Sequence, residues 1–260
     1  MKGVVLAGGL GKRLVPLTQI TNKHLLPVYD KPMIYYPIET LVKAGIKDIM
    51  IVTGGNSAGE FLRLLGNGQV FGLKDLYYTY QKGEGGIAEA LSLTEHFADG
   101  EQIVVILGDN IIEDDISPYV DKFRHQKKGA RILLKEVQDP ERFGVPELKD
   151  KKIVKVEEKP KKPKSQFAVT GIYMYDEEVF NIVKTLKPSN RGELEISDVN
   201  NIYIKNGTLE YDILRGYWTD AGTFESLFQA NQLVRSKCHS RESGNPMDPR
   251  LKHSGMTENQ

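Results

Sequence analysis

Val4, Val5, Leu6 and Ala7 are followed at once by Gly8, Gly9 and Gly11, and no other stretch constrains this chain as much. An unbroken apolar run of this length lacks the polar alternation of a half-solvated strand, so it predicts a strand buried on both faces. A sheet with two buried faces needs helices on each side, which points to an α/β layer architecture. The glycines let the backbone turn tightly and approach a ligand without a Cβ in the way. Such a loop turns its N–H groups into a concavity that suits phosphate oxygens, and Lys12 and Arg13 add positive charge at its far end. An ordinary Gly-rich turn after a first strand fits the glycines equally well. Two named nucleotide motifs fail. A P-loop needs Ser or Thr after its Lys, where Arg13 stands, and a first Gly where Leu6 stands. A dinucleotide fingerprint needs a third Gly where Leu14 stands, which disfavours a dinucleotide-dependent dehydrogenase.

The pattern beyond the loop repeats strand and helix. Ile34, Ile38, Leu41 and Val42 recur at helical spacing up to Gly45, with Pro37 at the helix start. Strands are expected at 48–52, 76–80 and 103–107, with helices around 61–65 and over 87–96. This alternation predicts a doubly wound sheet. In such a sheet ligands bind beyond the carboxyl ends of the strands. That rule brings Gly8–Gly11, the loop Gln81–Gly86 and Asp109 to one edge. The second half predicts a helix over 118–127, a strand at 130–137 and a hairpin of 145–148 with 153–157. A strand at 168–175 and helices over 177–186 and 196–205 follow, then a strand at 209–213 and a last helix to about Ser236. This half reads as a substrate-binding subregion built onto the same sheet. The polar segment 237–260 shows no sustained periodicity and is expected to be disordered, with Cys238 an incidental thiol.

Lys+Arg and Asp+Glu balance at 35 each, which argues against a nucleic-acid binder but leaves room for a small anionic substrate in a local basic cluster. A single cysteine excludes an internal disulfide and suits a reducing compartment. No apolar run reaches membrane-spanning length and no signal-peptide pattern opens the chain, so the expectation is a cytoplasmic protein.

Asp109 follows an apolar strand and a glycine, a position from which a carboxylate can face a ligand. Mg²⁺ takes one or two carboxylates together with substrate phosphate oxygens; a loop-capping Asp is the competing reading. Asp220, in Trp218-Thr219-Asp220-Ala221-Gly222-Thr223, is the natural second ligand, unless it caps the following helix, a role Thr223 can fill itself. Arg13, Lys23, Lys159 and Arg191 are candidate phosphate partners, against the common reading of solvated surface charge. Glu158, Glu193 and Glu195 suit sugar hydroxyls but serve equally as helix-terminus charges. No Ser–His–Asp, Cys–His or zinc spacing is present.

The blocks GVVLAGGLGKRLVPLT, NKHLLPVYDKPMIYYPIETL, LGDN, ERFGVPEL, EEKP, AVTGIYMYD, RGELEISDVN and WTDAGT occur in this order. Together they closely resemble the bacterial and archaeal glucose-1-phosphate thymidylyltransferases, from Lys2 to about Val234. The resemblance implies an α/β, Rossmann-like (GT-A-like) nucleotidyltransferase fold of three layers, with a mixed, mostly parallel central sheet. It implies a domain over 1–236, divided into a nucleotide-binding part to about 111 and a sugar-binding part over about 112–222. It implies transfer of a deoxythymidylyl group from dTTP to α-D-glucose 1-phosphate with release of pyrophosphate and with Mg²⁺, as the first step of dTDP-rhamnose synthesis.

By the same resemblance, Leu6, Gly8 and Gly9 lie against the nucleotide, and Arg13 holds the triphosphate. Lys23 approaches the phosphates at the reaction centre, and Gln81 and Gly86 recognise the base. Asp109 and Asp220 bind Mg²⁺. Gly144, Glu158, Val169 and Gly171 line the sugar pocket with Lys159 on the sugar phosphate, and Arg191 and Glu195 are further sugar-side residues. A homo-oligomer, dimer or tetramer, is the family's habit. Three positions depart from the pattern: Lys12 replaces Thr, Phe143 replaces Tyr and Glu84 replaces Pro in the base loop. Longer relatives carry further C-terminal helices that help form a regulatory site and subunit contacts. The alternatives are a UTP-using uridylyltransferase and a catalytically silent nucleotide-sugar-binding subunit.

Overall fold

The computed structural model describes residues 1–242. In chain order the elements begin with β1 (Lys2–Ala7), β2 (Pro27–Val28), β3 (Lys31–Pro32), α1 (Tyr35–Lys43), β4 (Ile49–Gly54) and α2 (Ala58–Leu65). Next come β5 (Leu76–Gln81), α3 (Ile87–Ser92), α4 (Glu95–Ala98), β6 (Ile103–Leu107), β7 (Asn110–Ile112), α5 (Ser117–His125) and β8 (Ala130–Glu136). The second half adds β9 (Gly144–Lys149), β10 (Lys152–Glu158), β11 (Phe167–Tyr175), α6 (Glu178–Thr185), α7 (Ile196–Lys205), β12 (Leu209–Ile213), β13 (Trp218–Asp220) and α8 (Phe224–Glu242).

The apolar run at the N-terminus forms the middle of the sheet. β1 pairs in parallel with β4 on one side and β6 on the other, and β4 pairs in parallel with β5. Its side chains alternate between two cores. Val5, with Ile51, Val104 and Ile106, packs against α1, α2 and α5. Val4 and Leu6, with Val52, Ile103 and Val105, pack against α3, α6 and α7. Both faces are therefore covered, as a strand without polar alternation requires. Among the described residues the sheet has 9 strands along β10-β9-β11-β6-β1-β4-β5, with β8 joined to β11 and β12 to β8. β11 runs antiparallel to β6 and β8, and this reversal makes the sheet mixed. The second half thus extends the sheet begun by the first.

Local sequence explains most element ends. α1 carries Pro37 in its first turn, buries Ile38 and Leu41, and stops where Gly45 takes φ of 77°, a left-handed residue that suits glycine. The helix expected over 87–96 is instead split into α3 and α4. The Thr94 Oγ1–H donates to the Leu91 carbonyl at 2.7 Å, so a side chain competes for a helix acceptor at the break. α8 runs to Glu242 rather than ending near Ser236; the rest of the expected disordered segment lies outside the described residues. β7 and β13 escape the sequence reading because each is only three residues long; they pair with each other apart from the main sheet.

Candidate active site

The carboxyl ends of β1, β5 and β6 open onto one cavity of about 480 Å³. It is lined on one side by Leu6, Gly8, Gly9, Arg13, Lys23, Gln81 and Gly86, and on the other by Gly144, Glu158, Lys159, Val169 and Gly171, with Asp109 and Asp220 between them. All the residues singled out from sequence meet there except Arg191 and Glu195. Those two stand behind the wall: Arg191 Nη1 lies 3.7 Å from Glu158 Oε1 and 3.6 Å from Glu195 Oε1.

The loop after β1 is shaped by close approach. Gly11 has φ of 67°, and a Cβ there would meet Thr18 Cγ2 at 2.8 Å and Lys23 Cβ at 2.9 Å. Leu14, fully buried, anchors the loop into the core at the position where a dinucleotide fingerprint has its third glycine. A Cβ on Gly8 would lie 2.5 Å from Gln81 Oε1, so the Gln81 side chain lies directly against the loop. Gln81 is buried; its Nε2–H₂ donates to the Gly86 carbonyl at 3.1 Å and to Glu89 Oε2 at 2.5 Å. At the rim Lys12 forms an ion pair with Glu84, joining two of the positions that depart from the resembled pattern.

Asp220 ends β13 and Asp109 immediately precedes β7, so the short β7–β13 ribbon brings them together. Asp220 pairs with Asn110 in register, and Ala221 N–H donates to the Asp109 carbonyl at 2.8 Å. Neither carboxylate is used as a cap. Thr223 supplies the cap beside α8: its Oγ1 accepts from Ser226 N–H at 3.2 Å, while its own N–H donates to Ser226 Oγ at 3.1 Å. Asp109 Oδ2 instead accepts from Lys23 Nζ at 2.5 Å. Lys23 is presented by a turn capped by Asn22, whose Oδ1 accepts from His24 N–H at 3.0 Å. Asp220 lies between two guanidinium groups, with Arg142 Nη2 at 3.3 Å from Oδ1 and Arg13 Nη2 at 3.8 Å from Oδ2.

The electrostatics of the two carboxylates differ. Burial raises the Asp109 carboxyl, but the Lys23 charge and the hydrogen bonds from Lys23 and Asn110 outweigh it, holding it well below the usual carboxylate range. Burial and the Asp109 charge push Asp220 up to about 6 despite Arg142, Arg13 and Lys23. His24, buried beneath Gly108, is lowered to about 3 by burial and by the Lys23 charge, so it is neutral near pH 7.

The two carboxylates converge. A Cβ placed on Gly222 would lie 2.8 Å from Arg13 Nη2, 3.3 Å from Asp220 Oδ2 and 3.5 Å from Asp109 Oδ2, so both oxygens face one space that the Arg13 guanidinium also borders. Among the described residues no cluster of three or more His, Cys, Asp or Glu could hold a metal by itself. Two carboxylates completed by ligand phosphate oxygens match the preference of Mg²⁺.

At the other end, Lys159 has φ of 46° and its N–H donates to the Phe143 carbonyl at 2.9 Å. A non-glycine residue in this region is held there by its surroundings and marks functional walls more often than loops at large. Lys159 Nζ lies 4.0 Å from Glu158 Oε1. Burial, with Glu195 and Glu193 nearby, raises the Glu158 carboxyl against Lys159 and Arg191. A Cβ on Gly144 would lie 3.3 Å from Glu158 Oε2, so that glycine gives the carboxylate its room.

Sequence reasoning missed Arg142, Asn110 and Tyr173, all in the cavity wall. Arg142 reaches Asp220 from the turn before β9 and also contacts Asp139 Oδ2 at 2.6 Å. Its neighbour Phe143 packs edge-on against Trp218 with ring centroids 5.2 Å apart. The signal for Arg142 was its place in the block ERFGVPEL, beside a residue already singled out.

The nucleotidyl transferase family model matches residues 2–237. A glucose-1-phosphate thymidylyltransferase of Neisseria meningitidis is 45% identical over 240 residues, covering 91% of this chain and 83% of the relative. One of Mycolicibacterium smegmatis is 45% identical over the same shares. Among solved structures, a Bacillus anthracis protein described as glucose-1-phosphate thymidylyltransferase, in complex with a sucrose, superposes with a TM-score of 0.87. It is 56% identical and covers 90% of this chain and 95% of its own. A UDP-glucose pyrophosphorylase complexed with UDP-glucose superposes with a TM-score of 0.80 at 25% identity, covering 91% and 98%. The mixed, mostly parallel sheet flanked by helices is therefore an architecture shared with both.

Proposed function

The chain belongs to the nucleotidyl transferase family, alongside the glucose-1-phosphate thymidylyltransferases it matches, and from that membership we propose that it makes dTDP-glucose and pyrophosphate from dTTP and α-D-glucose 1-phosphate. The observation that carries this reading is the pair Asp109 and Asp220, brought together at one end of the β7–β13 ribbon between a glycine loop and the Glu158–Lys159 wall of a single cavity. An oxygen of the sugar phosphate attacks the α-phosphorus of the nucleotide; the new P–O–P bond forms as the α–β anhydride breaks and pyrophosphate leaves. The sugar phosphate is already an anion, so no general base is required. The obstacle is the approach of one polyanion to another. Arg13 and Lys23 offset charge on the triphosphate, and Lys159 does so on the sugar phosphate, aligning the attack. Leu6, Gly8 and Gly9 receive the nucleotide, with Gln81 and Gly86 at the base. Gly144, Glu158, Val169 and Gly171 form the sugar wall, with Arg191 bridging Glu158 to Glu195.

Mg²⁺ held by Asp109 and Asp220 would stabilise charge on the transferring and departing phosphates. The first step of dTDP-rhamnose synthesis is the pathway place that goes with this activity. A cytoplasmic homo-oligomer completes the proposal. The oligomer draws support from Phe224 and Phe228, exposed one helical turn apart on α8.

The uridylyl reading keeps one specific support, the superposition on a UDP-glucose pyrophosphorylase, and Glu84 alters the base loop. A silent binding subunit is disfavoured because Asp109, Asp220, Arg13 and Lys159 all face the cavity. Pyrophosphate release from glucose 1-phosphate, measured with each nucleoside triphosphate in turn, decides: the highest kcat/KM is expected with dTTP. A preference for UTP transfers the assignment to the uridylyl enzyme, and no turnover with either defeats it.

A further inference from the structure

Asn110 directly follows the carboxylate Asp109 and is 1% exposed, and beyond helping to keep Asp109 ionised its side chain has no part in the reaction proposed above. Its Oδ1 accepts the Trp218 indole N–H at 2.6 Å and the Gly171 backbone N–H at 3.1 Å. Its Nδ2–H₂ donates to Asp109 Oδ1 at 3.1 Å. The amide orientation is fixed by chemistry, because a flipped group would set Nδ2 against two donors and Oδ1 against a carboxylate. The space is fixed as well. A Cβ on Gly171 would lie 2.6 Å from Asn110 Nδ2 and 2.7 Å from Oδ1, so only glycine at 171 admits the contact. Asn110 also stands opposite Asp220 in the β7–β13 register. One side chain therefore touches the strand carrying Trp218 and Asp220, the β11 strand of the sugar wall, and the Asp109 carboxylate.

We propose that Asn110, backed by Trp218, is the positioning residue that ties down one oxygen of Asp109 and so presents the other to the cation shared with Asp220. Asp109 Oδ1 is held by the Asn110 amide, whereas Oδ2, which accepts from Lys23 Nζ at 2.5 Å, faces Asp220 Oδ2 beside Gly222. Without the amide only the Lys23 contact would hold the carboxylate about χ2, and part of its cation affinity would be lost to that freedom. Trp218 is the only tryptophan in the chain. Its indole N–H has Asn110 Oδ1 as a buried acceptor, so the ring and the amide act as one unit. This inference rests on the Mg²⁺ reading of the carboxylate pair.

The test compares dTTP affinity by calorimetry in EDTA and in saturating Mg²⁺, for the wild-type protein, Asn110→Ala, Trp218→Phe and the double variant. The wild-type protein is expected to bind dTTP more tightly with Mg²⁺. Asn110→Ala is expected to cut that gain about tenfold, the usual cost of removing a group behind a metal ligand, while leaving the EDTA affinity within about twofold. Trp218→Phe keeps the ring, removes the N–H and cuts the gain less, and the double variant is expected to be no worse than Asn110→Ala, because the two residues act through one chain of bonds. Should Asn110→Ala not fold, Trp218→Phe decides alone. Full Mg²⁺ gain in either folded variant, or equal losses with and without Mg²⁺, overturns the inference and leaves the proposed reaction standing. A wild-type protein with no Mg²⁺ gain removes the metal reading and this inference together.

Discussion

Asp220 is the side chain whose chemistry is set most by its neighbours. Its carboxyl is pushed up to about 6 by burial and by Asp109, whereas Asp109, gripped by Lys23, stays ionised far below that. A carboxylate with a raised pKa keeps its proton up to that pKa, so on the acid side Asp220 is neutral and a poor cation ligand. Turnover is therefore expected to fall as pH drops through about 6. Cations and protons compete for the same oxygens, so raising Mg²⁺ should move this acid limb to lower pH. The measurement is kcat/KM against pH at low and high Mg²⁺; an acid limb indifferent to Mg²⁺ would separate Asp220 from cation binding. Asp109 was legible in sequence because an apolar strand and a glycine precede it. The grip of Lys23 was not, since the two residues are 86 positions apart and only the fold makes them touch.

The loops after β1 and β5 meet through the Lys12–Glu84 ion pair at the rim of the cavity. Their side chains are 73% and 41% exposed, so the pair contributes little to stability, and Glu84→Ala should change it by less than about 1 kcal/mol. The effect is expected in binding instead. Under the proposed reaction, freeing Lys12 from Glu84 adds a mobile positive charge beside the loop that Arg13 shares, so Glu84→Ala should lower the KM for dTTP about twofold or more at low salt, with the difference shrinking as ionic strength rises. A higher KM in Glu84→Ala would show that the pair itself orders the nucleotide loop. Long, periodic elements such as β6, β11 and α7 were legible from their apolar pattern. β7 and β13 were not, because three residues carry no period, yet this ribbon sets the spacing of both carboxylates.

Both halves of the chain extend one sheet, and their loops enclose one cavity rather than two. The Gly8–Arg13 wall and the Gly144–Lys159 wall therefore face each other across Asp109 and Asp220; under the proposed reaction no nucleophilic side chain needs to carry the nucleotidyl group between them. Initial-rate plots with dTTP and glucose 1-phosphate varied together are expected to intersect, as both substrates must be bound at once. Parallel lines, or an isolated nucleotidyl-enzyme, would overturn direct displacement.

By itself the sequence determined the α/β layering and the sheet edge on which Gly8, Gly9, Gln81 and Asp109 gather, through local hydrophobic runs and glycines at strand ends that act within a few residues. Leu6, Gly144, Val169 and Gly171 were reached through the family resemblance of whole blocks, not through local pattern. Only the tertiary structure decided that Arg142 reaches Asp220, that Arg191 and Glu195 stand behind Glu158, and that Asn110 joins Trp218 to Asp109. Each is a contact between side chains far apart in the chain, and distance along a sequence carries no record of which polar groups burial will force together. The glycine loop was readable as a turn from its first residues; that it lies against the side chains of Gln81 and Lys23 was settled by the fold.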